Sequence, residues 1–143
     1  MITDKILRVS TDQAVTTTAV STDTIDLSIA RDMGEGHPLY ANFAVTTAFS
    51  GGTSIKFEVI SSASAALSSP TVIGSSDAVV TASLTLGANF AVRVNPQIAS
   101  KGQQYLGVRY TVSGTYTAGT VTADFVTDIQ DGKKFYASGF SVT

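Results

Sequence analysis

Three places in this 143-residue chain bring ionisable side chains close enough in sequence to suggest chemistry. In residues 31–38, RDMGEGHP, the one histidine, His37, follows Asp32 and Glu35. A carboxylate that orients an imidazole is the usual arrangement for general acid–base work. Asp124 and Asp128 stand four apart at the end of a strand-like run, and Asp26 with Asp32 brackets a loop. Either pair could be drawn into a glycosidase-type carboxylate couple. Gly51 and Gly52 could bend the backbone around a phosphate. Each has a plainer reading, and the plainer one is favoured. A lone histidine in a glycine loop with no nucleophile nearby is a solvated loop residue, and acids on strand faces point into water. A phosphate cradle needs a helix after the glycines, where this chain has SIKFEVIS. No enzyme is therefore expected, and no catalytic, cofactor or metal-binding residue is assigned. The complete lack of cysteine removes a thiolate nucleophile, a redox pair, a disulfide framework and a Cys-based zinc site.

The composition narrows the partners. A net charge of −2, a pI near 5.1 and 14% charged residues argue against nucleic acid, which needs clustered Lys and Arg; Lys133 and Lys134 form the only adjacent basic pair. No stretch approaches the ~18 apolar residues of a membrane helix, so no membrane partner is expected. MITDKILRVS has no signal-peptide core, so synthesis in the cytoplasm is expected, followed by a soluble life or departure with an assembled particle. The 43% hydrophobic content with many Ser and Thr suits a β-rich protein whose outer faces carry hydroxyls instead of ions. Such a surface is neutral enough to pack on another protein.

The elements that must position these residues are strands. In residues 105–126, Leu106, Val108, Tyr110 and Val112 alternate with polar neighbours, and so do Val121, Ala123 and Phe125 after a Ser, Gly and Thr-rich break. A period of two over both runs predicts a hairpin turning near residues 113–119. Further strands are expected at 13–20, 24–30, 39–49, 71–75, 78–84 and 89–94, with a strand at SIKFEVIS. Gly51 and Gly52 read as a hairpin turn. Lys56 and Glu58 read as a solubilising pair on the solvent face. SSASAALSSP, residues 61–70, reads as a long connection between sheets, with room for one helical turn at 63–67. The expectation is a single-domain, all-β, eight-stranded, jelly-roll-like β-sandwich, with an immunoglobulin-like sandwich as second choice. Residues 1–12 are an N-terminal arm or edge strand, 13–130 the jelly-roll domain and 131–143 a C-terminal tail.

Successive blocks, DKILRVSTDQAVT, STDTIDLSIARDMGEGHPLYANFAVTTAF, ISSASAALSSPTVIGSS and YLGVRYTVSGTYTAGTVTADFV, together resemble the Bbp16-type capsid cement proteins of tailed bacteriophages over nearly the whole chain. The family has acidic residues before the small ones near residues 60–69, where this chain has Ser61, Ser62 and Ser64. The resemblance implies a jelly-roll decoration protein, without catalytic residues, that binds the outside of the major capsid shell. It would tie adjoining capsomers together on the virion surface after synthesis in the bacterial host. Its partners would be the major capsid protein and copies of itself, a dimer ahead of a trimer.

Contact surfaces for such a role should come from the ends and loops. Ile2, Ile6 and Leu7 in the arm, with Phe135, Tyr136 and Phe140 in the tail, are the candidate interface residues, because apolar groups outside the alternating core serve as anchors. The competing reading folds both ends back over an open edge of their own sandwich. The alternative function is a carbohydrate-binding or adhesion module on a jelly-roll scaffold, with Tyr105, Tyr116 and Tyr136 as platforms.

Overall fold

Period-two runs of Val, Ile, Phe and Tyr bury one face and leave hydroxyls on the other, which is what a sheet packed on a single core requires. The computed structural model describes residues 3–32, 36–95, 103–127 and 129. Among these residues ten strands occur: β1 (Arg8–Ala14), β2 (Ala19–Val20), β3 (Ile25–Asp26), β4 (Tyr40–Ser50), β5 (Ser54–Ser62), β6 (Thr71–Ser75), β7 (Val79–Val80), β8 (Asn89–Arg93), β9 (Tyr105–Ser113) and β10 (Ala118–Val126). They form two antiparallel sheets that face each other as a β-sandwich. The first sheet runs β1-β10-β4-β8. The second runs β2-β9-β5-β6, with β3 beside β2 on the flank of β9 and β7 beside β6 on the flank of β5. The expected all-β sandwich is the observed fold.

The core is aromatic at its centre. Phe43 of β4 lies 4.9 Å from Phe57 of β5, which stacks on Phe90 of β8 at 5.1 Å. Tyr110 of β9 meets Phe43 and Phe57 edge-on, at 6.0 and 6.2 Å. Its hydroxyl needs a partner at that depth and donates to Ser10 Oγ at 2.8 Å. Ser10 donates on to Gln13 Oε1, and the Gln13 amide donates to the Val20 carbonyl, so one polar chain ties β1 to the second sheet. Asp23 N–H also donates to the Val9 carbonyl, and on the opposite flank Asn95 N–H donates to the Ile73 carbonyl. Both long sides of the sandwich are thus stitched together, which limits exposed sheet edges.

Several expected elements are built differently. Strands β9 and β10 do not pair: the predicted hairpin is an arch that carries the chain from one sheet to the other. The same holds at Gly51 and Gly52, because β4 pairs with β10 and β8 while β5 pairs with β9. Alternation reports that one face is buried, and two strands facing each other across a core alternate just as two neighbours in a sheet do. The two arches lie side by side. Thr117 N–H donates to the Ser50 carbonyl and Thr53 N–H to the Ser113 carbonyl.

The expected strand at 13–20 is split at the buried Val15, where the chain leaves the first sheet for the second. The strand at 24–30 shrinks to Ile25–Asp26, since Ser28 adopts φ +69° and breaks the extended run. The strand at 78–84 stops after Val79–Val80 and tightens into a 3-10 turn, Thr81–Ser83. Residues 63–70 do not cross between sheets, because they join β5 to its neighbour β6. Leu67 folds back from that loop and is buried. It packs on Gly107, where an added Cβ would lie 2.4 Å from the Leu67 methyl. The serines at the start of this segment bond within the region: Ser61 donates to Gln103 Oε1, and Ser62 donates to the Ser68 carbonyl and accepts from Ser64 N–H.

Gly119, at the start of β10, has φ +140° and leaves room for Phe49, whose ring would sit 2.2 Å from an added Cβ. Gly87 has φ +83° but open space around it. Gly119→Ala should destabilise the fold by about 3 kcal/mol, since backbone strain and overpacking act together, and Gly87→Ala by about 1 kcal/mol, from strain alone. Urea unfolding midpoints for the two variants check the order, and equal losses would contradict the packing described for Phe49.

Candidate interaction surface

The N-terminal residues enter the sandwich through one 3-10 turn, Lys5–Leu7. Asp4 caps it by accepting from Ile6 N–H at 2.9 Å. Leu7 packs against the core, whereas Ile6 is 83% exposed. Arg8 Nε then bonds Asp124 Oδ1 at 2.7 Å, fixing the base of the turn on β10. Of the expected interface residues, Ile6 is therefore presented outward and Leu7 turned inward. Ile2, Phe135, Tyr136 and Phe140 lie outside the described residues.

Two of the candidate acids are held in hydrogen bonds of the fold. Asp124, read as a water-exposed strand acid, is buried and bound to Arg8, because the N-terminal residues cover that part of β10. Asp128 and Glu35 lie outside the described residues. Asp26 accepts from the Gln104 amide at 2.6 Å and from Ser28 N–H at 2.7 Å, and these two donors hold its carboxyl below the usual range. His37 borders an open depression of about 760 Å³ with Pro38, Tyr40, Thr127 and Ile129, none of which is acidic. Among the described residues no three His, Asp or Glu side chains gather closely enough to hold a metal ion.

The outer face of the second sheet holds one charge cluster that spacing alone misassigned. Glu58 stands directly across from Arg109, and its carboxylate accepts from Arg109 Nε at 2.7 Å and from the Thr111 hydroxyl at 2.6 Å. It is buried, so it is not the solvent partner of Lys56. Burial pushes the Glu58 carboxyl up; the Arg109 and Thr111 hydrogen bonds and the Arg109 and Lys56 charges outweigh it and leave the group below its ordinary value. Burial also pushes the Tyr110 phenol up, which keeps it a neutral donor to Ser10.

Of the tyrosines considered as sugar platforms, Tyr116 is buried, and its ring meets Phe49 edge-on at 5.0 Å. Tyr105 is half-buried, and Tyr136 lies outside the described residues. Among the described residues, the large apolar side chains that do face solvent are Ile6, Ile29, Val72, Val80 and Leu86. Val80 went unrecognised because AVVTASL reads as one strand with its apolar residues inward, whereas the strand ends at Val80; Leu86 lies between that run and the next expected strand at 89–94.

The paired sheets, shared core and stitched flanks define an antiparallel β-sandwich protein. The chain belongs to the Bbp16 family, whose model matches residues 9–125, from β1 almost to the end of β10. No curated protein matches it.

Because the folded Glu58 carboxyl titrates below its unfolded value, its stabilisation is complete above the unfolded carboxylate range. It is lost as pH falls through the folded value. Glu58→Gln should lower stability by about 1–2 kcal/mol near neutral pH, between the values for exposed and fully buried pairs. The urea midpoints of wild type and variant should then converge in acid. A gap that stays constant down to the most acidic measurable point would contradict this role for the pair.

Proposed function

We propose that this chain is a capsid decoration protein, a cement protein of a tailed-phage head, that binds the outer surface of the major capsid shell and stabilises contacts between neighbouring capsomers. The observation that carries the reading is the match to the Bbp16 family across the whole sandwich, taken with the ordered blocks that resemble Bbp16-type cement proteins. In this reading the sandwich is a jelly roll. Support comes from its connections: apart from the β2–β3 and β5–β6–β7 links within the second sheet, every link between successive strands crosses to the other sheet. The jelly roll with its two Greek keys is such a double-sheet design.

A decoration protein needs no chemistry of its own. It needs a scaffold that keeps its shape while one surface is removed from water, and then adds buried area at seams between larger subunits. Many copies bound to one particle stabilise it collectively even when each binds modestly. Copies of the chain would also contact one another, as a dimer ahead of a trimer. The carbohydrate-binding alternative is weakened by the burial of Tyr116, since a sugar platform needs an exposed ring.

Quantifying the chain in purified phage heads tests the reading. The expected result is a copy number equal to that of the major shell subunit or a simple fraction of it. Heads that lack the chain would refute the proposal.

A further inference from the structure

The two ends of the sandwich differ in charge. At one end lie the arches at 50–54 and 113–118, the crossing at 15–18 and the 78–88 segment that leads from β7 to β8. Residues 15–18, 47–54, 78–88 and 113–120 contain no Asp, Glu, Lys, Arg or His. At the chain's 14% charged composition several would be expected in stretches of that combined length. The opposite end carries Asp4, Lys5, Arg31, Asp32 and His37, with Asp26 on β3 beside it and Asp23 on the flank. Along the chain, the first Asp, Glu, Lys, Arg or His residues flanking these stretches are Asp12, Asp23, His37, Lys56, Asp77, Arg93, Arg109 and Asp124.

The uncharged end also presents apolar side chains on a fixed base. Leu86 is 71% exposed and Val80 55% exposed, amid exposed Thr16, Thr53, Ala82, Thr85 and Thr115. Backbone bonds hold the segments together: Tyr116 N–H donates to the Thr16 carbonyl, Phe49 N–H to the Leu84 carbonyl and Gly87 N–H to the Val45 carbonyl. The Thr81 hydroxyl donates to the Gly52 carbonyl and lies 2.8 Å from the Tyr116 hydroxyl. Removing such a surface from water desolvates no ion, and little conformational freedom is left to lose on binding. Depletion of charge around apolar anchors is the compositional mark of an interface core.

From this we infer that the arch end is the docking face, and that its occupant is a low-charge protein surface on the capsid shell, with Leu86 and Val80 as anchors. The inference rests on the decoration reading and adds to it which end of the molecule meets the shell. The charged end then faces outward into solvent.

The test is co-sedimentation of the full-length protein with shells assembled from the cognate major capsid subunit alone. Leu86→Glu and Val80→Glu should each weaken binding at least about tenfold, the effect of losing an interface anchor. Thr115→Lys, which replaces an exposed residue at the same end, should weaken it as well and serves as a second variant should either glutamate disturb folding. Ile29→Glu, at a residue 61% exposed at the opposite end, should leave binding within about twofold. Raising NaCl from about 0.05 to 0.5 M should also change wild-type binding by no more than about twofold, since no exposed ion pairs would be screened. Normal binding by all three arch-end variants, or binding abolished by Ile29→Glu or by salt, overturns the assignment and leaves the decoration reading intact. Variants that lose self-association in sedimentation velocity yet still bind shells would make the end a contact between copies, which also overturns it. Failure of the wild-type protein to bind shells would instead overturn the decoration reading, and the docking face with it.

Discussion

Tyr116 is the side chain on which the two arches depend. It comes from the arch between β9 and β10, its ring packs edge-on to Phe49 near the end of β4, and its hydroxyl meets Thr81, the first residue of the 3-10 turn. Its own N–H bonds to Thr16 in the crossing from β1 to β2. Four segments far apart in sequence are fixed relative to one another through this residue. Gly52 and Gly119 complete the arrangement, because a Cβ at Gly52 would strike the Tyr116 ring and one at Gly119 would strike Phe49. Small residues and a large aromatic are therefore needed together, and neither alone would bring the arches into contact.

Much of this architecture follows from side-chain period. The inward positions of β4, β5, β8, β9 and β10 were readable because apolar residues such as Phe43, Phe57, Val92, Val108, Tyr110 and Val121 recur every second residue and are buried, although in β5 and β10 the outward-facing Glu58, Thr122 and Asp124 are buried as well. What the rhythm does not encode is whether the next strand lies beside the last one or opposite it. A four-residue break such as GTYT serves a hairpin and an arch equally well. The distinguishing features are the burial of Tyr116 and the glycines beside it, which make sense only when three-dimensional neighbours are known. Residues 61–70 show the reverse confusion: their length suggested a crossing, but the extra chain is used to fold Leu67 back over Gly107.

The candidate surface was less accessible to sequence reasoning than the core. Ile6 stood out as an apolar residue beyond the alternating runs. Val80 did not, since it sits in a stretch whose pattern resembles a strand, and Leu86 lies in the short segment between that stretch and the next expected strand. Glu58 and Asp124 were misjudged for one reason: a strand's outward face is not always wet, and each acid is covered by the arginine that it binds. The uncharged arch end is a property of four separate segments, and only their convergence turns a compositional gap into a surface.

The central physical claim is that the arches form part of the rigid sandwich and are not loops attached to it. Native-state hydrogen exchange tests this most directly, because four amides of the arches and the neighbouring crossing have named acceptors: Val15 to Gly119, Thr53 to Ser113, Tyr116 to Thr16 and Thr117 to Ser50. These four amides should exchange as slowly as the central amides of β5 and β9, opening only with the whole domain. Exchange as fast as that of the exposed residues at 28–32 would contradict the account.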